Sequence, residues 1–288
     1  MHVASRYLLP ELQVEEDKKL AVLPSMLINE LMMVPASGER IPLSYEGRPY
    51  LRRQIDSFPE HPRHLYLYGR QSEKSTSISA QINAYVTVLG LTWQYVSATM
   101  EQATEFSQWK LDNPIRDSEI LSGLYDKAGI RRPYNIKRKE NFLGGRILVG
   151  TAYGDAARIR GNPADGLSID EVALIDLDAI GILRECVSHS DFGWEIHAGT
   201  PLSTDNPLWI LWSERSQQHE WGVPCMRHSP TLWNILGPSN LSPTGIICER
   251  CGKAIDTRYG QWIVTNTPLD FTFKAFRIPQ IATTFAKY

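Results

Sequence analysis

From about residue 64 the chain alternates short apolar runs with longer segments of helical spacing. Residues 64–68 predict a strand, and residues 74–89, closed by Gly90, predict a helix. Residues 92–97 (TWQYVS) predict a second strand, with a helical stretch from Met100 toward Leu111. Further strands are predicted at 146–149, 167–169 and 194–198, and a helix at 177–187. Strands separated by helices require right-handed crossovers and a mostly parallel sheet covered on both faces, which is an α/β fold. After Trp221 the pattern changes. Pro, Gly and Asn become frequent, cysteines cluster, and 259–264 is a short strand candidate. This divides the chain into an N-terminal arm (1–40), an α/β domain (41–220), a small module (221–265) and a closing segment (266–288).

Composition narrows the partners. At 288 residues the chain can bury a large core, and 42% apolar with 22% charged residues is ordinary for a globular protein. The net charge of −2 gives no global basic field, so any nucleic-acid contact must come from a local patch. The start lacks the pattern of a secretory signal, and the apolar stretch 20–34 is broken by Pro24 and Glu30. A soluble, intracellular protein without membrane contact is expected.

The stretch YGRQSEKST, Tyr68 to Thr76, joins the first predicted strand to its helix. A strand, a tight loop and a helix beginning at Lys-Ser is the form of a phosphate-binding loop, where backbone N–H groups and the helix dipole face the anion. In that reading Gly69, Arg70, Gln71, Ser72, Glu73, Lys74, Ser75 and Thr76 line a nucleotide. Lys74 reaches the β- and γ-phosphates, and the Ser75 hydroxyl ligates Mg²⁺. Taken alone, the nonapeptide is equally a surface turn with an N-capping serine. Leu167-Ser168-Ile169-Asp170-Glu171 supplies the second half: a strand ending in two carboxylates, Asp170 for Mg²⁺ and Glu171 to orient and deprotonate the attacking water. Glu73 stands where such loops usually carry glycine. It takes steric room and adds negative charge near a polyphosphate, unless its side chain turns outward or toward Arg70.

Four cysteines occur, at 186, 225, 248 and 251. Cys225 and His228, then Cys248 and Cys251, form a CxxH…CxxC set with 19 residues between the pairs. Two knuckles at this spacing can close an S₃N tetrahedron around a structural Zn²⁺. Gly252 suits the tight second knuckle. Cys186 falls on a predicted helix and reads as a buried apolar residue. Between Lys127 and Arg146 seven basic residues face one acid, Glu140. Of these, Arg131, Arg132, Lys137, Arg138 and Lys139 are candidate contacts to a DNA backbone, although most such runs are solvated faces.

These motifs, in this order, resemble the ATPase part of phage terminase large subunits, the motors that package viral DNA. Arg70-Gln71 before Lys74-Ser75 resembles the family's Arg-containing Walker A loop. Residues 95–103 resemble the segment after its second strand, Arg160-Gly161 precedes the Walker B strand, and Ile196 to Pro201 resembles the coupling motif. The resemblance implies an ASCE-type, RecA-like P-loop ATPase using ATP and Mg²⁺. Glu171 would be its catalytic base, Arg70 would sense the γ-phosphate, and Thr200 would relay nucleotide state to movement. It further implies double-stranded DNA, a portal and procapsid, a small terminase subunit and a homo-oligomeric ring as partners, in the host cytoplasm. A cysteine-rich insertion after the ATPase core occurs in one branch of this family. The family's nuclease domain, with its RNase H-like acidic cluster, is not expected within this chain. A helicase-like ATPase and a degenerate nucleotide-binding assembly module are the alternatives.

Overall fold

The structure, a computed structural model, describes residues 23–36, 38–46, 48–126, 135–228 and 233–283. The chain has an α/β fold whose strands are mostly parallel. It divides into two compact units that interleave along the sequence. One comprises residues 1–44, 75–170 and 175–195, the other residues 45–74, 171–174 and 196–288. These boundaries differ from a division in simple chain order.

The first unit is built around β4 (Thr92–Ser97), buried along its whole length. A strand covered on both faces must be apolar or internally satisfied, and Trp93 meets both conditions. It is fully buried, and its indole N–H donates to Ser168 Oγ at 2.9 Å. Gly166 is small because Trp93 lies over it; a Cβ there would stand 2.3 Å from the ring. β4 pairs in parallel with β6 (Arg146–Thr151) on one side and β7 (Gly166–Ile169) on the other. β5 (Arg138–Glu140) runs antiparallel along β6. The crossover helices are α3 (Lys74–Leu89) and α7 (Ala152–Arg160), followed by α8 (Leu177–Arg184). The helix expected over 177–187 tightens to 3₁₀ at Glu185–Val187. α4 (Met100–Glu105) starts at a Thr99/Gln102 capping box and passes into a π-helical stretch, Phe106–Asp112, where Phe106 stacks on Tyr95. α5 (Asn113–Asp117) and α6 (Glu119–Tyr125) follow. Near the N-terminus α1 (Pro24–Leu31) precedes a hairpin of β1 (Met33–Ala36) and β2 (Glu39–Pro42), tied to α5 by Arg40–Asp117 at 2.8 Å.

The second unit is centred on β14 (Phe273–Ile278), which pairs in parallel with β3 (Arg63–Tyr68) and with β9 (Ser216–Pro224). The closing segment of the chain thus supplies a strand flanked by two others. Beside β3 lies β8 (Trp194–Gly199). β10 (Trp233–Ile235) and β13 (Gln261–Asn266) run antiparallel on β9. β13 begins two residues later than the sequence pattern indicates, after Gly260, where a Cβ would lie 2.5 Å from the Trp221 ring. α2 (Pro49–Asp56) is pinned by Tyr50, whose carbonyl accepts from the Trp262 indole at 3.2 Å. α9 (Pro207–Arg215) is capped by Asn206, and β11 (Leu241–Ser242) with β12 (Gly245–Ile246) forms a small hairpin. No helix among the described residues is long and apolar enough to cross a membrane.

Candidate nucleotide site and metal centre

β3 delivers the chain to Gly69, whose N–H donates to the Ile278 carbonyl at 2.8 Å. Gly69 has no room for a side chain, since a Cβ would lie 2.6 Å from the backbone nitrogen of Gln280. The loop then turns tightly: Gln71 and Glu73 both take left-handed backbone conformations, at φ +59° and +61°. Such φ values are costly for residues bearing a Cβ and are held only where the surroundings demand them. Ser72 Oγ donates to the Gly69 carbonyl at 2.8 Å and closes the turn. α3 starts at Lys74, as expected of a phosphate loop.

Lys74 Nζ lies 2.5 Å from Glu171 Oε1. Glu171 also sits at positive φ, +54°, two residues after the end of β7. The cation of the loop and the second carboxylate of the strand end are thus brought together. In the first unit Ser75 Oγ stands 3.5 Å from Asp170 Oδ2, and the Tyr95 hydroxyl stands 3.3 Å from the same oxygen. The register of β4 against β7 explains this placement. Val96 is level with Ile169, so Asp170 emerges where its N–H donates to the Val96 carbonyl at 2.8 Å. A serine hydroxyl and a carboxylate at this separation are the oxygen donors that Mg²⁺ prefers. Thr76 Oγ1 accepts from Lys110 Nζ at 3.1 Å. Arg70 and Gln71 are exposed, and Thr200 is half-buried in the loop after β8.

Several partners escape a reading of the sequence. Glu73 does not turn to Arg70: its carboxylate pairs with the guanidinium of Arg48. Tyr95 and Lys110 are likewise found only by folding, because they reach the loop and the strand end from other elements. The basic segment is less available than its composition indicates. Lys139 is fully buried with its ammonium paired to Asp112, so burial removes it from the cations that could meet a phosphate backbone. Arg138 is engaged by Glu140 at 2.8 Å, and Lys137 is exposed. Arg131 and Arg132 lie outside the described residues.

In the second unit Cys225, His228, Cys248 and Cys251 converge, their ligand atoms all within 4.8 Å of one another. Cys225 Sγ and Cys251 Sγ are 3.7 Å apart, and Cys248 Sγ is 3.8 Å from His228 Nδ1. The edge of a tetrahedron with Zn–S bonds near 2.3 Å is about 3.8 Å, which these two separations match, so the set is compatible with zinc. Each knuckle is closed by its own backbone. His228 N–H donates to the Cys225 carbonyl at 2.8 Å and Gly252 N–H to the Cys248 carbonyl at 2.9 Å, Gly252 adopting φ +67°. Although burial disfavours a charged thiolate, backbone N–H groups at Arg250 and Cys251 and the His228 ring outweigh it and hold the Cys248 thiol at about 6. Cys186 is buried, and burial pushes its thiol up to about 12, as an inert apolar residue requires.

An α/β fold with a strand, a tight loop and a helix starting at Lys-Ser is an arrangement shared by many P-loop ATPases. Residues 37–267 match the family described as phage terminase large subunit gpA, ATPase domain, and the chain belongs to that family. Among solved structures it is similar to the HK97 bacteriophage large terminase at 14% identity and a TM-score of 0.51, covering 66% of this chain and 39% of that one. It also matches a variant of the Thermus phage P74-26 large terminase ATPase domain at 18% identity and a TM-score of 0.44, covering 58% and 72%. The chain therefore spans 39% of the length of the HK97 protein. No curated protein matches.

Proposed function

We propose that this chain hydrolyses ATP to drive double-stranded DNA into a viral procapsid. The observation that carries the reading is the 2.5 Å approach of Lys74 to Glu171, cradle cation to general base, on a loop and strand end of the required kind. Lys74 binds the β- and γ-phosphates, and the loop N–H groups orient them. Glu171 holds the attacking water in line and takes its proton as the γ-phosphoryl group leaves. Ser75 and Asp170 would hold Mg²⁺, which would supply positive charge against the phosphate oxygens. Arg70, exposed beside the loop, reaches toward the γ-phosphate, and Thr200 relays the nucleotide state to the DNA-moving elements. The Cys₃His set holds a structural Zn²⁺. Portal, procapsid, small terminase subunit and further copies in a ring are the partners of such a motor, which works in the host cytoplasm. A degenerate nucleotide-binding module is disfavoured by the outward pairing of Glu73 with Arg48.

Steady-state ATP hydrolysis, measured with and without double-stranded DNA, tests the proposal. Turnover that DNA stimulates, that Lys74→Ala removes and that unwinds no duplex is the expected result. Strand separation would point to a helicase-like protein instead. Tight ATP binding without turnover under every condition would point to an assembly module.

A further inference from the structure

We propose that Arg48 is a positioning residue for the nucleotide, which makes a phosphate loop containing Glu73 able to accept a nucleoside triphosphate. The inference rests on the nucleotide reading above and adds a residue that no motif predicts. Glu73 precedes the cradle lysine at φ +61°, a conformation glycine adopts freely and glutamate does not. Its side chain projects from the loop beside Lys74, and its charge is of the same sign as the incoming phosphates. Left alone, that carboxylate has two harmful options: to repel the polyphosphate, or to compete with it for Lys74.

The fold removes both options by holding the carboxylate elsewhere. Arg48 and Glu73 pair with side chains only 15% and 23% exposed, so water screens the attraction poorly. The other carboxylate oxygen of Glu73 is buried and has no hydrogen-bond partner among the described residues. The guanidinium is therefore the principal compensation for this charge. Arg48 is also well placed to hold it. It occupies the N-cap position of α2, and its own N–H donates to the Tyr45 carbonyl at 3.0 Å. α2 is in turn fixed by Tyr50, buried edge-on against Trp221 at 5.9 Å. Burial keeps the Tyr45 phenol protonated, so the neighbourhood of Glu73 acquires no second negative charge from it. Lys74 meanwhile faces Glu171 rather than Glu73, which is the arrangement a phosphate cradle needs.

The consequence is conditional: Arg48 matters to nucleotide binding because Glu73 is there. The test is calorimetric binding of MgADP and of a slowly hydrolysed ATP analogue to four proteins: the natural chain, Arg48→Ala, Glu73→Gly and the double variant. Arg48→Ala should weaken binding by about tenfold or more, the scale of one uncompensated charge near a polyphosphate. In the Glu73→Gly background the same change should cost less than about twofold, and Arg48→Lys should restore part of the loss in the natural chain. Equal losses in both backgrounds would overturn the proposal, since Arg48 would then act independently of Glu73. Recovery in the double variant also shows that the Arg48 change does not merely unfold α2. A failure of the nucleotide reading looks different: neither the natural chain nor Glu73→Gly would bind either nucleotide.

Discussion

Removing the zinc proposed for the Cys₃His set should unfold its surroundings and little else. β11 and β12 are two residues each, and one isolated bridge, Ile247 to Ala254, extends the pairing. Such a hairpin has almost no core of its own. Structural zinc contributes about 10–16 kcal/mol to small domains of this kind. Without it, thiolates 3.7 Å apart would repel by roughly 4 kcal/mol at an effective dielectric of about 20, or would take up protons. The module cannot absorb such a loss, whereas β13 remains paired to β9 over a register from Gln261 to Asn266. Hydrogen exchange should therefore separate two groups of amides after chelation. Ile247, Cys248, Gly252 and Ile255 donate to backbone carbonyls inside the module, and their protection should vanish. The β13 amides should keep theirs. Reduced, purified protein should contain one zinc per chain. Absence of zinc, or unchanged protection of Cys248 and Gly252 in chelator, would refute the reasoning.

Three other outcomes follow from the structure. Gly69→Ala should force the loop away from Gln280 and lower stability by about 1–3 kcal/mol, with nucleotide affinity lost as well, read by thermal melts and binding titration. Lys139→Ala should destabilise the fold by about 2–4 kcal/mol, because it removes the ammonium that pairs with Asp112 and donates to the Asn135 carbonyl, while leaving DNA affinity unchanged; a selective loss of DNA binding would restore Lys139 as a contact. The isolated chain should not nick supercoiled plasmid even with Mn²⁺. A two-metal nuclease needs several carboxylates converging on its ions, so nicking that is abolished by changing acids other than Asp170 and Glu171 would refute this expectation.

What the sequence makes legible here is local. The strands at β3, β4, β7 and β8 announce themselves as apolar runs, and the loop before Lys74 follows from a strand, a turn and a helix start. The CxxH and CxxC knuckles are legible for the same reason, since each pair of ligands sits within one turn. Contacts that cross long stretches of chain leave no such trace. Arg48 and Glu73 are 25 residues apart, and nothing around Arg48 marks it as a partner. Glu73 itself was the available signal, because a carboxylate in a glycine position demands compensation. Lys139 shows the converse error. A run of basic residues reads as an exposed face, but β5 turns Lys139 inward against β6, where pairing with Asp112 and a hydrogen bond to the Asn135 carbonyl make its burial tolerable.

The central claim is that Glu171 activates the water that attacks ATP, while Lys74 holds the phosphates. It is tested most directly by measuring, on the same Glu171→Gln preparation, MgATP affinity and single-turnover hydrolysis in the presence of DNA. The structure predicts affinity within a few-fold of the natural chain and a hydrolysis rate lower by about 10²-fold or more, as loss of a general base requires. Hydrolysis at the natural rate with binding intact would contradict the assignment of Glu171, and with it the chemistry proposed for this site.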